Sequence, residues 1–269
     1  MGMEEHRELR MVWLYPDIMN LHGDRGNMMA LSHIAAAMHL PLQIIRTNRA
    51  EEIPDLEQVD CIYIGAGQMR NMKPVTDDLR SKAAALQAYA EQNGHMLVIG
   101  SSGCILSKSF VQYDGSQTAG LGILDMTAKE LNRTKMPYVT NEVYGDDILF
   151  KTIDGMEIVG CQIQRLDFTL HDVPPFGTVL YGYGNNTTDG TEGARYKNVI
   201  FTNTVGPLFC CNPWFGVELL SDIAAKKGNP VTDFEESRIA YLAYAKESLQ
   251  LKKKFIKEKF KLPGIRSKL

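Results

Sequence analysis

The first 110 residues alternate between two apolar rhythms. Four short runs are apolar on both faces: Leu9 to Leu14 (LRMVWL), Leu42 to Arg46, Asp60 to Ile64 (DCIYI) and Met96 to Ile99 (MLVI). Such runs read as strands in the middle of a parallel sheet. Between them lie segments with apolar positions at helical spacing. The spacing predicts one helix over Met28 to Met38, with Met28, Leu31, Ile34, Ala35 and Met38 on one side, and another over Val75 to Gln92, with Leu79, Ala83, Leu86 and Ala90. Asn27 is expected to cap the first helix, and Asn93-Gly94 to end the second. Strand–helix alternation predicts an α/β fold with a doubly wound, mostly parallel sheet. Ligands of such sheets sit beyond the carboxyl ends of the strands. Three loops meet there: YPDIMNLHGDRGN, GAGQMR and GSSG.

Beyond Gly120-Leu121-Gly122 the pattern changes to mixed strand. Turns are expected at Tyr144-Gly145-Asp146-Asp147 and at Asp154-Gly155. Val179 to Tyr183 (VLYGY) runs into the polar loop GNNTTDGTEG, and Asn198 to Asn203 (NVIFTN) reads as one more buried strand. Asn212-Pro213 opens a helix, Trp214 to Lys226, that Gly228 ends. Arg238 to Leu262 is amphipathic, with Tyr241, Tyr244, Ala245, Leu249, Leu251, Phe255, Ile256 and Phe260 as a broad apolar stripe. The organisation expected is one α/β domain over residues 9–231 and a basic helical extension over 232–269.

Composition sharpens this only in places. The chain has 269 residues, 44% of them hydrophobic, enough for a substantial core. Its net charge of −3 gives no reason to expect nucleic acid. The charge is uneven, however: Lys246 to Leu269 carries nine basic residues against Glu247 and Glu258, or +7, which leaves −10 elsewhere. One reading is a packed helix with a solvated lysine face; the other is a surface for a partner subunit or an anionic membrane. The polar start MGMEEHRELR does not read as a secretory signal. Five cysteines in no C-x-x-C spacing read as reduced thiols, so a cytoplasmic protein is expected. No metal and no cofactor are expected.

The candidate chemistry centres on MLVIGSSGCIL (Met96 to Leu106). Strand, tight turn and helix is the arrangement on which α/β enzymes mount a nucleophile, with backbone N–H groups aimed at an oxyanion. Here the residue after the strand is Gly100, which has no side chain to present.

Several motifs follow in order: YPDIMNLHGDRGN, IGAGQMR, GLGILD (Gly120 to Asp125), Asn132-Arg133, GYGNN (Gly182 to Asn186), Glu192-Gly193, KNVI, and GPL (Gly206 to Leu208) before Asn212-Pro213. Over Val12 to Lys226 the chain thereby resembles the CobB/CobQ-type class I glutamine amidotransferases, and within them the glutaminase-subunit type of lipid II isoglutaminyl synthase. The resemblance implies the flavodoxin-like class I glutamine amidotransferase fold. It also implies hydrolysis of L-glutamine and transfer of the ammonia to a Mur-ligase-like (MurT-type) partner in a heterodimer, for amidation of a peptidoglycan precursor. The family's chemistry uses an elbow cysteine as nucleophile and a late histidine as proton carrier.

At both places this sequence departs. Alignment puts Gly100 at the position of the family cysteine and Val205 at that of the family histidine. The stretch CQIQRLDF (Cys161 to Phe168) departs as well, where the family has a glutamate and a histidine. The expectation is a subunit that keeps the scaffold without making ammonia. The alternatives are an active enzyme with a relocated nucleophile, Cys104 or Ser101, and a glutamine-binding sensor. Cys104 reads more simply as a buried core thiol, and Ser101 and Ser102 as hydrogen-bond partners of the helix start. His22 and His171 are the histidines expected near the rim, each with the simpler role of a solvated loop residue. The resemblance gives Arg133 the glutamine carboxylate, with a surface ion pair as its ordinary alternative. Gly65, Ala66 and Gly67 offer N–H groups to an anion or amide oxygen, and Gln68 and Arg70 line the rim.

Overall fold

A computed structural model of the chain describes residues 7–131, 144–231 and 234–259. In chain order the elements are β1 (Leu9–Leu14), α1 (Arg25–Ala37), β2 (Leu42–Thr47), β3 (Cys61–Ile64), α2 (Met69–Leu79), α3 (Ala83–Glu91), β4 (His95–Ile99), α4 (Gly103–Leu106), β5 (Ser109–Val111), β6 (Gln117–Ala119) and β7 (Met126–Glu130). There follow β8 (Tyr144–Thr152), β9 (Glu157–Gln164), β10 (Leu166–Leu170), β11 (Gly177–Tyr181), β12 (Thr191–Glu192), β13 (Ala194–Tyr196), β14 (Val199–Thr202), β15 (Thr204–Val205), α5 (Leu208–Cys211), α6 (Pro213–Lys226) and α7 (Leu242–Lys259).

The central sheet has the order β13-β14-β4-β3-β1-β2. Its strands are parallel except for β13, which runs antiparallel to β14 at the edge. Alternate residues of each strand feed two separate cores, because side chains alternate across a pleated sheet. Val12, Leu14, Met96 and Val98 pack with α2 and α3. Met11, Trp13, Leu97 and Ile99 pack with α1 and α6. The sheet is therefore covered on both faces, as the strand–helix alternation predicts. The second half adds two smaller, largely antiparallel sheets, β10-β7-β5-β6 and β12-β11-β8-β9-β15.

Three local expectations are corrected. Asn27 does not cap α1. It is buried two residues inside the helix, where Nδ2 donates to Tyr63 Oη (2.9 Å) and the Gly206 carbonyl (3.3 Å), while Oδ1 accepts from Phe209 N (3.2 Å). Asp24 holds the N-cap position. The single helix expected over 75–92 starts at Met69, contains Pro74, and is divided by a 3₁₀ turn at Arg80–Lys82. Tyr144-Gly145-Asp146-Asp147 is strand and not turn: β8 is paired by β9 along its length and by β11 on the other side. Over these four residues the ladder with β9 is continuous, Tyr144 opposite Gln164 through Asp147 opposite Cys161, and it overrides the turn preference of Gly and Asp.

The amphipathic C-terminal segment forms α7, which covers the outer face of the third sheet. Leu249 and Ile256 pack on Leu149, Val159 and Tyr181. Lys252 pairs with Asp147 (2.6 Å) and Lys253 with Glu157 (2.7 Å). Among the described residues no helix is long and apolar enough to cross a membrane.

Candidate functional site

β4 runs directly into a 3₁₀ turn at Gly100–Ser102 and then the single turn α4. Gly100 has φ +60°, a conformation that glycine adopts without the steric cost of a Cβ. β14 lies beside β4, and the chain leaves it through Asn203 to β15, which carries Val205 back over the turn. A Cβ placed on Gly100 would meet Val205 Cγ1 at 3.0 Å and Ala66 Cβ at 3.2 Å. The two positions that the sequence singles out, a hundred residues apart, are thus in contact, and what meets there is a hydrogen and an isopropyl group.

The loops at this edge are tied to each other by hydrogen bonds. Ser101 Oγ donates to the Gly67 carbonyl (2.6 Å) and accepts from Gly67 N–H (3.1 Å). Ser102 Oγ donates to the Gly65 carbonyl, and Leu21 N–H to the Ala66 carbonyl (2.9 Å). The serine hydroxyls therefore bind the neighbouring loop and not the helix start, because that loop crosses directly over the turn. Gly67 N–H is satisfied within the chain. Gly65 admits no side chain, since a Cβ there would sit 1.8 Å from Asp24 Oδ2. Asp24 is buried behind the loop and accepts from Tyr63 Oη (2.5 Å) and Asn27 Nδ2 (3.2 Å) through Oδ1, while Oδ2 has no hydrogen-bond partner among the described residues. Burial pushes its carboxyl up to about 7 against those two bonds.

In front of the loops lies a cavity of about 650 Å³. One wall is formed by His22, Ala66, Gly67, Gln68, Arg70 and Ser101. Another wall comes from the segments around β5, β7, β9 and β10 and includes Tyr113, Glu130, Gln164 and Arg165. Arg165 pairs with the buried Glu130 at 2.9 Å, and the other carboxylate oxygen accepts from Tyr113 N–H (3.1 Å). This wall was missed by residue-level reasoning, although CQIQRLDF contains both Gln164 and Arg165.

The structure brings together most of the predicted residues. Ala66, Gly67, Gln68, Arg70 and Ser101 line the cavity, and His22 belongs to its wall with φ +57°. Gly65 stands behind the lining, against Asp24. Cys104 points the other way, into the core with Ile105 and Leu106, and burial pushes its thiol well above the ordinary range. A thiol so placed is inert towards a ligand in the cavity. His171 lies outside the cavity wall, with Nε2 3.2 Å from Thr127 Oγ1. Arg133 lies outside the described residues. Among the described residues no group of three or more His, Cys, Asp or Glu side chains is placed to hold a metal ion.

Comparison with known proteins fits this geometry. The family model for the CobB/CobQ-like glutamine amidotransferase domain matches residues 10–209. The chain belongs to that family. Among curated relatives, the lipid II isoglutaminyl synthase (glutamine-hydrolyzing) subunit GatD of Staphylococcus aureus (strain N315) is 31% identical over 224 residues, covering 83% of this chain and 87% of the relative. The subunit of the same name from Streptococcus pneumoniae (strain ATCC BAA-255 / R6) is 28% identical over 222 residues, 82% of each chain. Solved structures share the fold at low identity. One glutamine amidotransferase superposes with TM-score 0.53 at 13% identity, over 80% of this chain and 98% of its own. The glutaminase domain of Trypanosoma brucei CTPS with bound acivicin gives TM-score 0.53 at 11% identity, over 85% and 97%. The flavodoxin-like amidotransferase fold expected from the motifs is thus the fold observed.

Proposed function

We infer that this chain is a glutamine amidotransferase-like subunit without glutaminase activity of its own. In this reading it partners a Mur-ligase-like (MurT-type) protein, as a heterodimer, in the amidation of lipid II. The names of both curated relatives support the lipid II half. The observation that carries the loss of chemistry is the contact between Gly100 and Val205. The family's reaction needs a thiolate and an imidazole facing each other, and neither group stands at that contact. Loss of a nucleophile alone costs roughly a million-fold in turnover in a well-studied hydrolase. Neither relocated nucleophile has a supporting environment. Cys104 is in the core, and both hydrogen bonds of the Ser101 hydroxyl go to Gly67.

Glutamate release from L-glutamine, measured for the wild type alone and with its partner ligase, is expected to stay at background. Release that survives Cys104→Ala overturns this reading. The double variant Gly100→Cys/Val205→His is expected to regain release, which would show that the scaffold still binds glutamine productively. The open cavity with Gln68 and Arg70 supports a second reading, a glutamine-binding sensor. Titration calorimetry with L-glutamine tests the sensor, which requires a saturable heat; its absence removes that second reading.

A further inference from the structure

The chain leaves β9 at the end of β15 and comes back to the same strand at Asn212. Thr204 and Val205 pair with Gln162 and Cys161 of β9. The backbone then departs through Gly206 and α5, and the Asn212 side chain closes the excursion. Its Oδ1 accepts from Val159 N–H (2.9 Å) and its Nδ2 donates to the Val159 carbonyl (2.7 Å). A side-chain amide thus takes the place on β9 that a continuing strand would hold, two residues along from Cys161.

Each end of the excursion carries a thiol. Cys161 stands opposite Val205 at one end, and Cys211 directly precedes Asn212 at the other. Both are free thiols, Cys161 exposed and Cys211 half-buried. They lie close enough for their charges to act on each other. Lys252 of α7 acts on both, from its ion pair with Asp147 (2.6 Å), the β8 residue opposite Cys161. Burial raises the Cys211 thiol, and the Lys252 ammonium offsets part of that rise. Cys210 turns instead towards α1, where its Sγ faces the Gly26 carbonyl (3.9 Å).

We propose that Cys161 and Cys211 are a redox-active thiol pair, which low-molecular-weight disulfides convert to a cross-link that locks the excursion onto β9. The exposed Cys161 thiolate attacks one sulfur of the disulfide; that S–S bond breaks, and one thiol leaves with the proton given up by Cys161. The Cys211 thiolate then attacks Cys161 Sγ in the mixed disulfide, and the second thiol leaves with the proton given up by Cys211. Two protein thiols are oxidised, and their two electrons reduce one disulfide to two thiols. The consequence reaches the elbow, because the excursion starts at Val205, whose Cγ1 covers Gly100. Asn27 already holds the middle of the excursion, through the Gly206 carbonyl and Phe209 N–H. The cross-link fixes its two ends.

Glutathione disulfide, added in excess to the reduced and folded full chain, tests this. Of the five cysteines, the two joined ones are expected to drop out of a thiol titration in denaturant. Peptide mapping without reductant should find Cys161 bonded to Cys211. The melting temperature is expected to rise by roughly 5 °C, and amide exchange across 205–211 to slow at least about tenfold. Cys210→Ser should reproduce all of these changes. Cys211→Ser should stop at the mixed disulfide, with glutathione on Cys161, and Cys161→Ser should form no cross-link. An unchanged thiol count overturns the proposal. So do a bond between Cys210 and Cys211, glutathione adducts without a cross-link, and cross-links between two copies only. A Cys161–Cys211 bond that leaves exchange across 205–211 unchanged overturns the locking. None of these outcomes depends on whether the cavity binds or hydrolyses glutamine.

Discussion

The floor beneath the cavity and its charged wall rest on different physics. In that floor, next to the lining residues Ala66 and Ser101 but not themselves lining the cavity, Gly100 and Val205 meet through hydrocarbon, with Ala66 completing the contact. At the charged wall, Glu130 is buried and held by Arg165 and by the Tyr113 N–H. An apolar contact tolerates change in proportion to the volume altered. A buried charge does not, because removing its partner leaves the full desolvation penalty uncompensated. On the function proposed above, the difference accounts for an elbow that carries glycine and valine while the cavity beside it is kept. The floor needs only to be filled, whereas the wall needs every member present.

The largest effect is therefore expected at the wall. Arg165→Met keeps much of the side-chain volume and strands the Glu130 carboxylate. A loss of about 3–5 kcal/mol is expected in urea unfolding, on the scale of broken buried pairs. Glu130→Gln/Arg165→Met removes both charges and is expected to recover most of it. If Arg165→Met costs no more than a surface substitution, the two regions do not differ in the way argued here.

Two buried groups give the next effect, through pH. Asp24, behind the floor loops, has its carboxyl raised to about 7 by burial. Folded Asp24 keeps a proton that the unfolded chain has lost above pH ~4, so this group lowers stability as pH rises from ~4 to ~7. His95, at the other end of β4, is lowered to about 4, again chiefly by burial. The unfolded chain binds that proton below pH ~6.5, so His95 raises stability as pH rises from ~4 to ~6.5. Each contributes about 1.4 kcal/mol per pH unit at most, with opposite sign. In the wild type the two slopes oppose each other below pH ~6.5. Relative to wild type, Asp24→Asn should gain stability progressively towards pH 7, and His95→Gln should gain it towards pH 4. Urea unfolding at three pH values in that window measures both.

The floor itself comes third. Gly100→Cys alone must place a Cβ at 3.0 Å from Val205 and hold φ +60°. A cost of about 1–3 kcal/mol is expected, from overpacking and backbone strain together. Val205→Ala in the same chain removes the contact with Val205 and leaves the strain together with the 3.2 Å approach to Ala66. Thermal melts of the two variants separate these contributions. Equal melting temperatures would mean that Val205 does not fill the space in front of Gly100.

How much of this was legible in the sequence follows from the same physics. The buried parallel strands were readable because continuous apolar runs admit few other arrangements. Gly100 and Val205 could be matched because each sits in a short motif at the end of such a strand. The wall was not readable. Glu130 and Arg165 are ordinary charged residues until β7 and β10 pair and bring them together. Asn27 misled for a related reason, since its side chain bonds across the fold to Tyr63 and Phe209 as well as to the Asp24 carboxylate, and not to the free backbone N–H groups of its helix start. Local propensity reports local bonds, and the polar residues that shape the cavity make distant ones.

Ser101→Ala has the smallest expected effect and tests the floor most directly. The hydroxyl both donates to the Gly67 carbonyl and accepts from its N–H, so its removal costs two hydrogen bonds between the elbow and the loop above it. Each is worth about 1 kcal/mol, and the site borders the cavity, where water replaces part of the loss. A net cost of roughly 1 kcal/mol is expected in urea unfolding. The second consequence is chemical: Gly67 N–H, now satisfied by Ser101, becomes a free donor on the cavity surface. Adjacent backbone N–H groups in a loop favour anions. Ser101→Ala should therefore bind a small carboxylate such as L-glutamate more tightly than wild type in calorimetry, despite its lower stability. Weaker binding would mean that the hydroxyl itself contacts the ligand, and that the floor keeps a polar function beside its inert glycine and valine.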